Sequence, residues 1–242
     1  MEAEDARSGL VGRVVALRRY PVKSMGEESL EEAPVGWHGF AGDRRWAFVR
    51  PGRVESGFPW LTIREHPEMN RYRPSLRQPD HPDGSSVVVR TPSGEELSVA
   101  DPALAAELGD GVRVMKQNRG VFDTMPVSLI SRQSLAALQA MVDVEVDARR
   151  FRPNVLVETG DGAPFPEDAW VGRTLSIGGV RLRVDQRDQR CVLVDVDPVS
   201  SRRDPQVLRA LARQRQGWLG VYGSTVSPGR VAVGDPVLLE PL

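Results

Sequence analysis

The stretch TLSIGGVRLRVDQRDQRCVLVDVDP, residues 174–198, places a predicted β-hairpin just before the only cysteine of the chain. Apolar residues flank Gly178 and Gly179, an arrangement typical of two antiparallel strands joined by a tight turn. The following segment, CVLVDV, is rich in valine and predicts another strand. The stretch therefore predicts a β-sheet that leads to Cys191, with Arg190 beside the thiol.

Short apolar runs of the same kind recur along the chain, separated by turn residues. The 23 glycines and 19 prolines suit a fold with many turns. Further strands are predicted by the segments GRVVALRRYPV, RRWAFVR, SSVVVRTP, GVRVMK, VDVEVDA, RPNVLVE and RVAVGDPVLLE. Helices are expected to begin after the capping residues Asp101, Ser131 and Asp204. The prediction is a mostly β fold with a few short helices.

The length and the polar breaks of the chain bound its organisation. A chain of 242 residues is expected to form one or two domains. The polar segment MKQNRG lies between strand-like segments and marks the predicted boundary. We predict an acidic, disordered tail over residues 1–9, a first β-rich domain over residues 10–117 and a second over residues 118–242.

The charge and the cysteine count weigh against several classes of protein. The net charge of -1 argues against a general nucleic-acid-binding or membrane-surface protein, which would carry a basic excess. The sequence shows no signal peptide and no stretch of apolar residues long enough to span a membrane. A single cysteine forms no internal disulfide, and it cannot supply the four ligands of a typical iron–sulfur cluster. These features predict a cytoplasmic protein that holds no cluster of its own.

The residues around Cys191 leave two interpretations open. A free cysteine is most often a small, buried apolar residue. Arg190 would instead favour the thiolate, which is a nucleophile and a soft metal ligand. None of the three histidines lies at the spacing from another ligand that a zinc site needs.

Two motifs in the first half carry basic residues that could bind an anion. Lys23 and Ser24 follow the first predicted strand in YPVKSMG. They form either an anion-binding site or an ordinary surface loop. Arg44 begins a predicted strand in AGDRRWAFV, where it suits a phosphate or an ion pair with Asp43. Both interpretations stay open for each motif.

Two motifs in the second half carry further candidates. Asp123 and Thr124 lie in VFDTMPVSLIS, ahead of the helix that Ser131 would cap. The motif RRFRPNVLVE crowds three arginines before an apolar strand, which calls for a bound anion or for internal ion pairs. These arginines are Arg149, Arg150 and Arg152.

Seven segments in this order resemble the MOSC family, from about Gly12 to Leu239. They are YPVKS, GDRRWAFV, FDTMPVSLIS, RFRPNVLVE, PFPEDAW, RCVLVDVDP and VAVGDPVLL. The first half is similar to the domain that precedes MOSC in the mitochondrial amidoxime-reducing component and its bacterial relatives. The resemblance implies a β-barrel MOSC fold preceded by a small β-barrel-like domain.

The resemblance also implies a site. Cys191 matches the cysteine that ligates molybdenum in the molybdenum cofactor (molybdopterin) of the amidoxime-reducing relatives, so it is the expected metal ligand and catalytic residue. Other matching positions are expected to contact the cofactor. These are Lys23, Ser24, Arg44, Asp123, Thr124, Arg152, Asn154 and Arg190.

The implied function is the reduction of N-oxygenated small molecules, such as amidoximes and hydroxylamines. Electrons would come from a separate ferredoxin-, flavin- or cytochrome-type protein, and neither a nucleic acid nor a membrane is expected as a partner. Two alternatives remain: Cys191 could carry sulfur as a persulfide, or the protein could be a non-enzymatic carrier of the cofactor. After Pro198 the sequence VSSRRDP has no close match in the relatives, so the entrance to the site and the substrate stay open.

Overall fold

The computed structural model describes residues 9–53, 55–160 and 162–241. The predicted tail covers residues 1–9, of which residues 1–8 lie outside the described residues. Within the described ranges the strands are β1 (Leu10–Arg19), β2 (Glu28–Leu30), β3 (Glu32–Gly36), β4 (Gly39–Phe40), β5 (Trp46–Val49), β6 (Arg73–Leu76), β7 (Val87–Arg90), β8 (Glu96–Ser98), β9 (Arg113–Lys116), β10 (Val127–Ser131), β11 (Val155–Glu158), β12 (Thr174–Ile177), β13 (Val180–Gln189), β14 (Trp218–Ser227), β15 (Gly229–Ala232) and β16 (Pro236–Leu239).

Helices are short in the same ranges. They are α1 (Pro102–Leu108), α2 (Arg132–Gln139) and α3 (Gln206–Arg215), with 3-10 turns at Pro67–Arg71, Ala148–Phe151, Pro166–Trp170 and Val192–Asp195. None of the described helices has the length and apolar character needed to cross a membrane.

Seven strands form a closed barrel in the order β1-β11-β10-β14-β13-β12-β16. β1 closes the barrel because it pairs with β11 on one side and with β16 on the other. β10 and β11 run parallel, whereas the other neighbouring strands run antiparallel. Apolar side chains that alternate along the strands fill the interior, among them Val14, Leu129, Val157, Leu175 and Val237. The predicted mostly β fold with a barrel is confirmed.

A second hydrophobic cluster lies outside the barrel and belongs to the first half of the chain. β5 pairs with β9, while β6, β7 and β8 form a three-stranded sheet. Side chains such as Phe48, Met69, Val89 and Leu104 fill the centre of this cluster. β3, by contrast, pairs with β15. The buried apolar residues of β1, β3 and β4 therefore pack with strands of the second half. The domain boundary between residues 117 and 118 remains a prediction.

Several local predictions are confirmed by the backbone. β12 and β13 form the expected hairpin, in which Gly178 adopts a positive φ of 55° at the turn. The side chains of Asp101, Ser131 and Asp204 accept backbone hydrogen bonds at the starts of α1, α2 and α3. Short polar caps therefore fix where the helices begin.

The strand predicted for CVLVDV is wrong, because residues 192–195 form a 3-10 turn. The Val194 N–H donates to the Cys191 carbonyl at 3.1 Å, which closes the turn. The Asp195 carboxylate accepts a hydrogen bond from the Leu208 N–H at 2.9 Å. Val194 also packs into a third hydrophobic cluster with residues of α3. These contacts turn the chain back towards α3, and they leave Cys191 at the beginning of the turn.

The strand predicted for VDVEVDA is also wrong, because residues 142–147 form a loop. The Gln139 amide donates to the Val144 carbonyl at 3.0 Å and accepts from the Val146 N–H at 2.9 Å. The valines pack against the third cluster, which explains their alternation. The Gln139 side chain thus forms the hydrogen bonds that backbone N–H and C=O groups of a strand would form with a neighbouring strand.

Strand β14 was missed in the sequence because glycines interrupt it. A Cβ atom at Gly220 would lie 2.5 Å from Ile130 Cγ1, and one at Gly223 would lie 2.6 Å from the Arg183 carbonyl oxygen. Glycine is therefore needed where β14 approaches its neighbours, although glycine lowers strand propensity.

Leu175→Ala is expected to lower the free energy of unfolding by about 2–5 kcal/mol, because it leaves a cavity in the barrel interior. Leu175 is fully buried, whereas Leu10 of β1 is 50% exposed. The matched control Leu10→Ala is expected to change stability by no more than about 0.5 kcal/mol. Urea unfolding of both variants tests this, and equal losses would contradict the assignment of the interior.

Candidate functional site

A cavity of about 380 Å³ is lined by residues from both halves of the chain. All nine residues predicted for the site line it, although they lie far apart in the sequence. They are Lys23, Ser24, Arg44, Asp123, Thr124, Arg152, Asn154, Arg190 and Cys191. The fold therefore brings the predicted residues together.

A buried tyrosine organises one wall of the cavity. Tyr20 has no exposed surface, and its hydroxyl donates to the Pro153 carbonyl at 3.3 Å. The guanidinium carbons of Arg44 and Arg152 lie 4.6 and 4.1 Å from the centre of its ring. Arg44 also pairs with Asp43 and donates to the Arg152 carbonyl at 3.1 Å. This stack joins the end of β1 to the segment that leads into β11.

Two buried guanidinium nitrogens on the cavity lining have no hydrogen-bond partner within the described residues. Arg152 donates through Nη1 to the Met25 carbonyl at 2.6 Å, but its Nη2 has no acceptor. Arg190 donates to the carbonyls of Leu219 and Phe151 at 2.8 and 2.9 Å, but its Nη2 likewise has no acceptor. Buried donors are normally satisfied, so these two call for an acceptor such as an anion.

The pKa of Arg152 likewise indicates that its charge calls for an anion. Burial lowers the pKa of Arg152 to about 10, and the positive charge of Arg44 acts in the same direction. Arg44 is compensated by the carboxylate of Asp43. Burial acts to lower its pKa, but the charge and hydrogen bond of Asp43, together with Tyr20 and Tyr222, raise it above its ordinary value. An anion beside Arg152 would offset the cost of burying its charge.

Three of the site residues hold left-handed backbone conformations. The φ angles are 67° at Ser24, 49° at Arg44 and 54° at Arg152. This conformation costs a residue other than glycine about 1–2 kcal/mol. Backbone strain of this kind is concentrated at functional sites, where it aims side chains into a cavity.

Lys23 and Asp123 form an ion pair across the cavity wall. Lys23 is 5% exposed, and its ammonium group also donates to the Val121 carbonyl at 3.0 Å. Burial lowers the pKa of Lys23, although Asp123 opposes this. Burial acts to raise the pKa of Asp123, but the charge and hydrogen bond of Lys23, together with the charges of Arg44 and Arg64, keep that pKa below its ordinary value. The two charges therefore largely cancel, and Asp123 presents an acceptor to the cavity.

Asp188 is a buried carboxylate on the same lining. It is 1% exposed and lies 2.8 Å from Arg190 Nη1. The Ser128 hydroxyl donates to it at 3.5 Å, and the Tyr222 hydroxyl is hydrogen-bonded to it as well. Burial raises the pKa of Asp188 to about 6, although the charge of Arg190 opposes the shift. Asp188 can therefore exchange a proton near neutral pH.

The thiol of Cys191 is half-buried and receives a hydrogen bond from Arg64. Arg64 Nη2 lies 3.4 Å from Cys191 Sγ, and this bond is the main reason why the pKa of Arg64 is raised. The guanidinium of Arg190, which precedes Cys191 in the sequence, bonds instead to backbone carbonyls and to Asp188. The cationic neighbour of the thiol thus comes from the other half of the chain.

The three arginines of RRFRPN have different partners. Arg149 pairs with Asp147 at 2.5 Å, and Arg150 pairs with Asp197 at 2.8 Å. Arg152 has no carboxylate partner among the described residues. Asp197 also accepts from backbone N–H groups of the turn after the cysteine segment. Internal ion pairs account for two of the arginines, and Arg152 is the one on the cavity lining that is left without a carboxylate.

Asn154 lies on the lining, but its amide is already bonded within the protein. Its Oδ1 accepts from the Ser128 N–H at 3.2 Å. Its Nδ2 donates to the Arg18 carbonyl at 3.2 Å and to Asp43 at 3.3 Å. Asn154 therefore ties the strands of the site together, and its predicted contact with a cofactor stays a prediction.

Sequence reasoning missed three residues of the site: Arg64, Asp188 and Tyr222. Arg64 lies in LTIREHPEM, which shows no motif, so its place could be found only from the tertiary structure. Asp188 was visible as an acid close to the cysteine, but its burial was not. Tyr222 lies in β14, the strand hidden by glycines.

Comparison with known proteins identifies two family models along the chain. Residues 116–238 match the MOSC domain, and residues 11–125 match the MOSC N-terminal beta barrel domain. The solved structure of the YUAD protein from Bacillus subtilis covers 95% of this chain and 96% of its own, with a TM-score of 0.54 at 15% identity. That likeness shows a shared fold.

Named relatives match more closely in sequence. Human mitochondrial amidoxime-reducing component 1 is 36% identical over 132 residues, which cover 48% of this chain and 37% of the relative. The molybdenum cofactor sulfurase of Drosophila erecta is 24% identical over 280 residues, which cover 94% of this chain and 35% of the relative. The matched region spans about a third of each relative's length. Because the MOSC domain model alone matches half of the chain, the chain belongs to the MOSC family.

Proposed function

We propose that the chain binds a molybdenum cofactor in the cavity and reduces N-oxygenated small molecules, such as amidoximes and hydroxylamines. Electrons would come from a separate redox protein of the ferredoxin, flavin or cytochrome type. The observation that best supports this function is that a half-buried thiol and two guanidinium groups with unsatisfied donors line one cavity.

The residues of the cavity fit such a cofactor. Molybdenum accepts soft thiolate ligands, which Cys191 can provide. The pterin part carries a phosphate, for which Arg152 and Arg190 offer free donors. Basic side chains outnumber acidic ones on the lining. The basic ones are Lys23, Arg44, Arg64, Arg150, Arg152 and Arg190, and the acidic ones are Asp123 and Asp188.

The chain's own residues would bind the cofactor, orient it and manage protons. When bound, the cofactor supplies two-electron redox chemistry. Removal of an N-bound oxygen as water takes up two protons for each pair of electrons. The Asp188 carboxyl group can hold one of them, because burial places its pKa at about 6.

Sulfur transfer is a second candidate function. Arg64 donates to Cys191 Sγ, and the same donor would stabilise the negatively charged outer sulfur of a persulfide. A relative named as a molybdenum cofactor sulfurase also matches along 94% of this chain. A third candidate, a cofactor carrier, would bind the cofactor and show no turnover with any electron donor.

Cys191→Ala is expected to abolish both molybdenum retention and amidoxime reduction in protein purified from a host that makes the cofactor. Elemental analysis and an assay with a chemical electron donor check the two losses. The thermal stability of the cofactor-free protein should change little, because the thiol is half-buried. Normal turnover in the variant would contradict the ligand role. An added sulfur mass on wild-type Cys191, with no molybdenum, would favour sulfur transfer.

Arg152→Gln is expected to weaken cofactor retention at least about tenfold, because it removes a buried donor and charge. Arg149→Gln is the matched control, since Arg149 is already paired with Asp147. Its retention should stay within about twofold of wild type. Molybdenum content after repeated gel filtration measures both variants. If both variants lost molybdenum equally, or if Arg152→Gln lost none, Arg152 would not be a cofactor-binding residue.

Asp188→Asn tests the proton-holding group through stability. The pKa of Asp188 is raised from 3.8 to about 6, so the folded state binds its proton more tightly than the unfolded state does. That contribution to stability is full below pH 3.8 and is lost as the pH rises through about 6. Wild type should therefore lose about 1–3 kcal/mol relative to the variant between pH 4 and pH 7. Urea unfolding across this pH range measures the difference in the free energy of unfolding between wild type and variant. That difference would stay constant if Asp188 had an ordinary pKa.

A further inference from the structure

Arg64 stands at the mouth of the cavity, beside the thiol. Its guanidinium donates to Cys191 Sγ at 3.4 Å and lies 5.9 Å from the centre of the Phe58 ring. The side chain of Arg64 is exposed, unlike the buried guanidinium groups of Arg152 and Arg190. Arg64 is therefore the exposed basic residue of the described lining, and it is open to a molecule that approaches Cys191 from solvent.

The charge of Arg64 has no carboxylate partner among the described residues. The nearby acids are engaged elsewhere: Asp123 pairs with Lys23, and Glu65 pairs with Arg50 at 2.9 Å. Arg203 adds a second positive charge next to Arg64, since it donates to the Arg64 carbonyl. An exposed cation that lacks a carboxylate partner beside a reactive centre attracts anions from solution.

The loop that carries Arg64 is held in place from two sides. The Thr62 hydroxyl accepts from the Arg64 N–H at 3.2 Å. Arg203 donates to the Ile63 carbonyl at 3.3 Å, and Asn70 accepts from the Ser201 hydroxyl at 2.6 Å. The segment VSSRRDP thereby fixes the loop against the cysteine segment. The cation is positioned before any ligand binds.

We propose that the substrate carries a negatively charged group, a carboxylate or a phosphate, and that Arg64 binds this group next to Cys191. For the reaction, this inference rests on the proposed reductase function, whereas anion binding at Arg64 can be tested without it. Phe58 offers an aromatic face beside the same guanidinium, so a planar anionic compound fits the mouth best. Arg64 is then a residue that determines specificity.

The first test uses the cofactor-free protein and treats Cys191 as a probe of its surroundings. The thiolate of Cys191 attacks one sulfur of an aromatic disulfide and displaces an aromatic thiolate. Two reagents are compared at low ionic strength: the dianionic bis(carboxynitrophenyl) disulfide and the neutral dipyridyl disulfide. Both rates depend on the same thiolate fraction, so the ratio of the two rates reports only the preference for an anion.

Arg64→Gln is expected to lower the ratio of anionic to neutral rate about 3- to 10-fold, and added salt should shrink this difference. Arg90→Gln is the matched control, because Arg90 is an exposed arginine that does not line the cavity. Its ratio should match that of wild type. The same rate ratio in Arg64→Gln as in wild type would overturn the proposal. A rate ratio that falls in Arg152→Gln but not in Arg64→Gln would overturn it as well.

The second test uses the cofactor-loaded enzyme with a carboxylate-bearing amidoxime and its neutral amide analogue. Arg64→Gln should raise KM for the anionic substrate about tenfold and leave KM for the neutral one within about twofold. Equal effects on both substrates would overturn the proposal. If the loaded enzyme reduces neither compound, the reductase function fails, while the disulfide rates still decide whether Arg64 selects anions.

Discussion

Burial of the Arg152 guanidinium without a carboxylate partner is the constraint around which the site is arranged. Arg152 packs on the Tyr20 ring next to Arg44, yet Asp43 forms its ion pair with Arg44 and acts on Arg152 only through space. A buried charge without an ion-pair partner costs free energy, which an anionic ligand in the cavity would offset. Arg190 adds a second unsatisfied nitrogen on another part of the lining, although its charge is paired with Asp188.

The fold meets this constraint by joining segments that are distant in sequence. β1 closes the barrel and delivers Tyr20 and Lys23 at its end, while the turn before β11 delivers Arg152. Asn154 links these segments through its amide, and the left-handed backbone at Arg44 and Arg152 sets the direction of both side chains. Stability of the barrel and geometry of the site are therefore coupled through the same residues.

Much of this arrangement could be predicted from the sequence, for physical reasons that differ between elements. Alternating apolar residues around Gly178 predicted the hairpin, because strand periodicity is local. The turn at Val192–Asp195 was missed, because Val194 is buried against α3 and a run of valines does not reveal what covers it. The contact of Arg64 with the thiol joins residues that share no motif, so it depends on tertiary packing alone. The resemblance supplied the nine site residues, and the structure adds that the Asn154 amide is fully bonded within the protein while Nη2 of Arg152 has no acceptor.

The central claim is that Cys191 is a ligand of molybdenum in this cavity. X-ray absorption at the molybdenum edge counts the sulfur atoms bound to the metal in protein purified with its cofactor. We expect one sulfur ligand fewer on the metal in Cys191→Ser than in wild type, because the serine oxygen then replaces the thiolate. The same number of sulfur ligands in both proteins would contradict it.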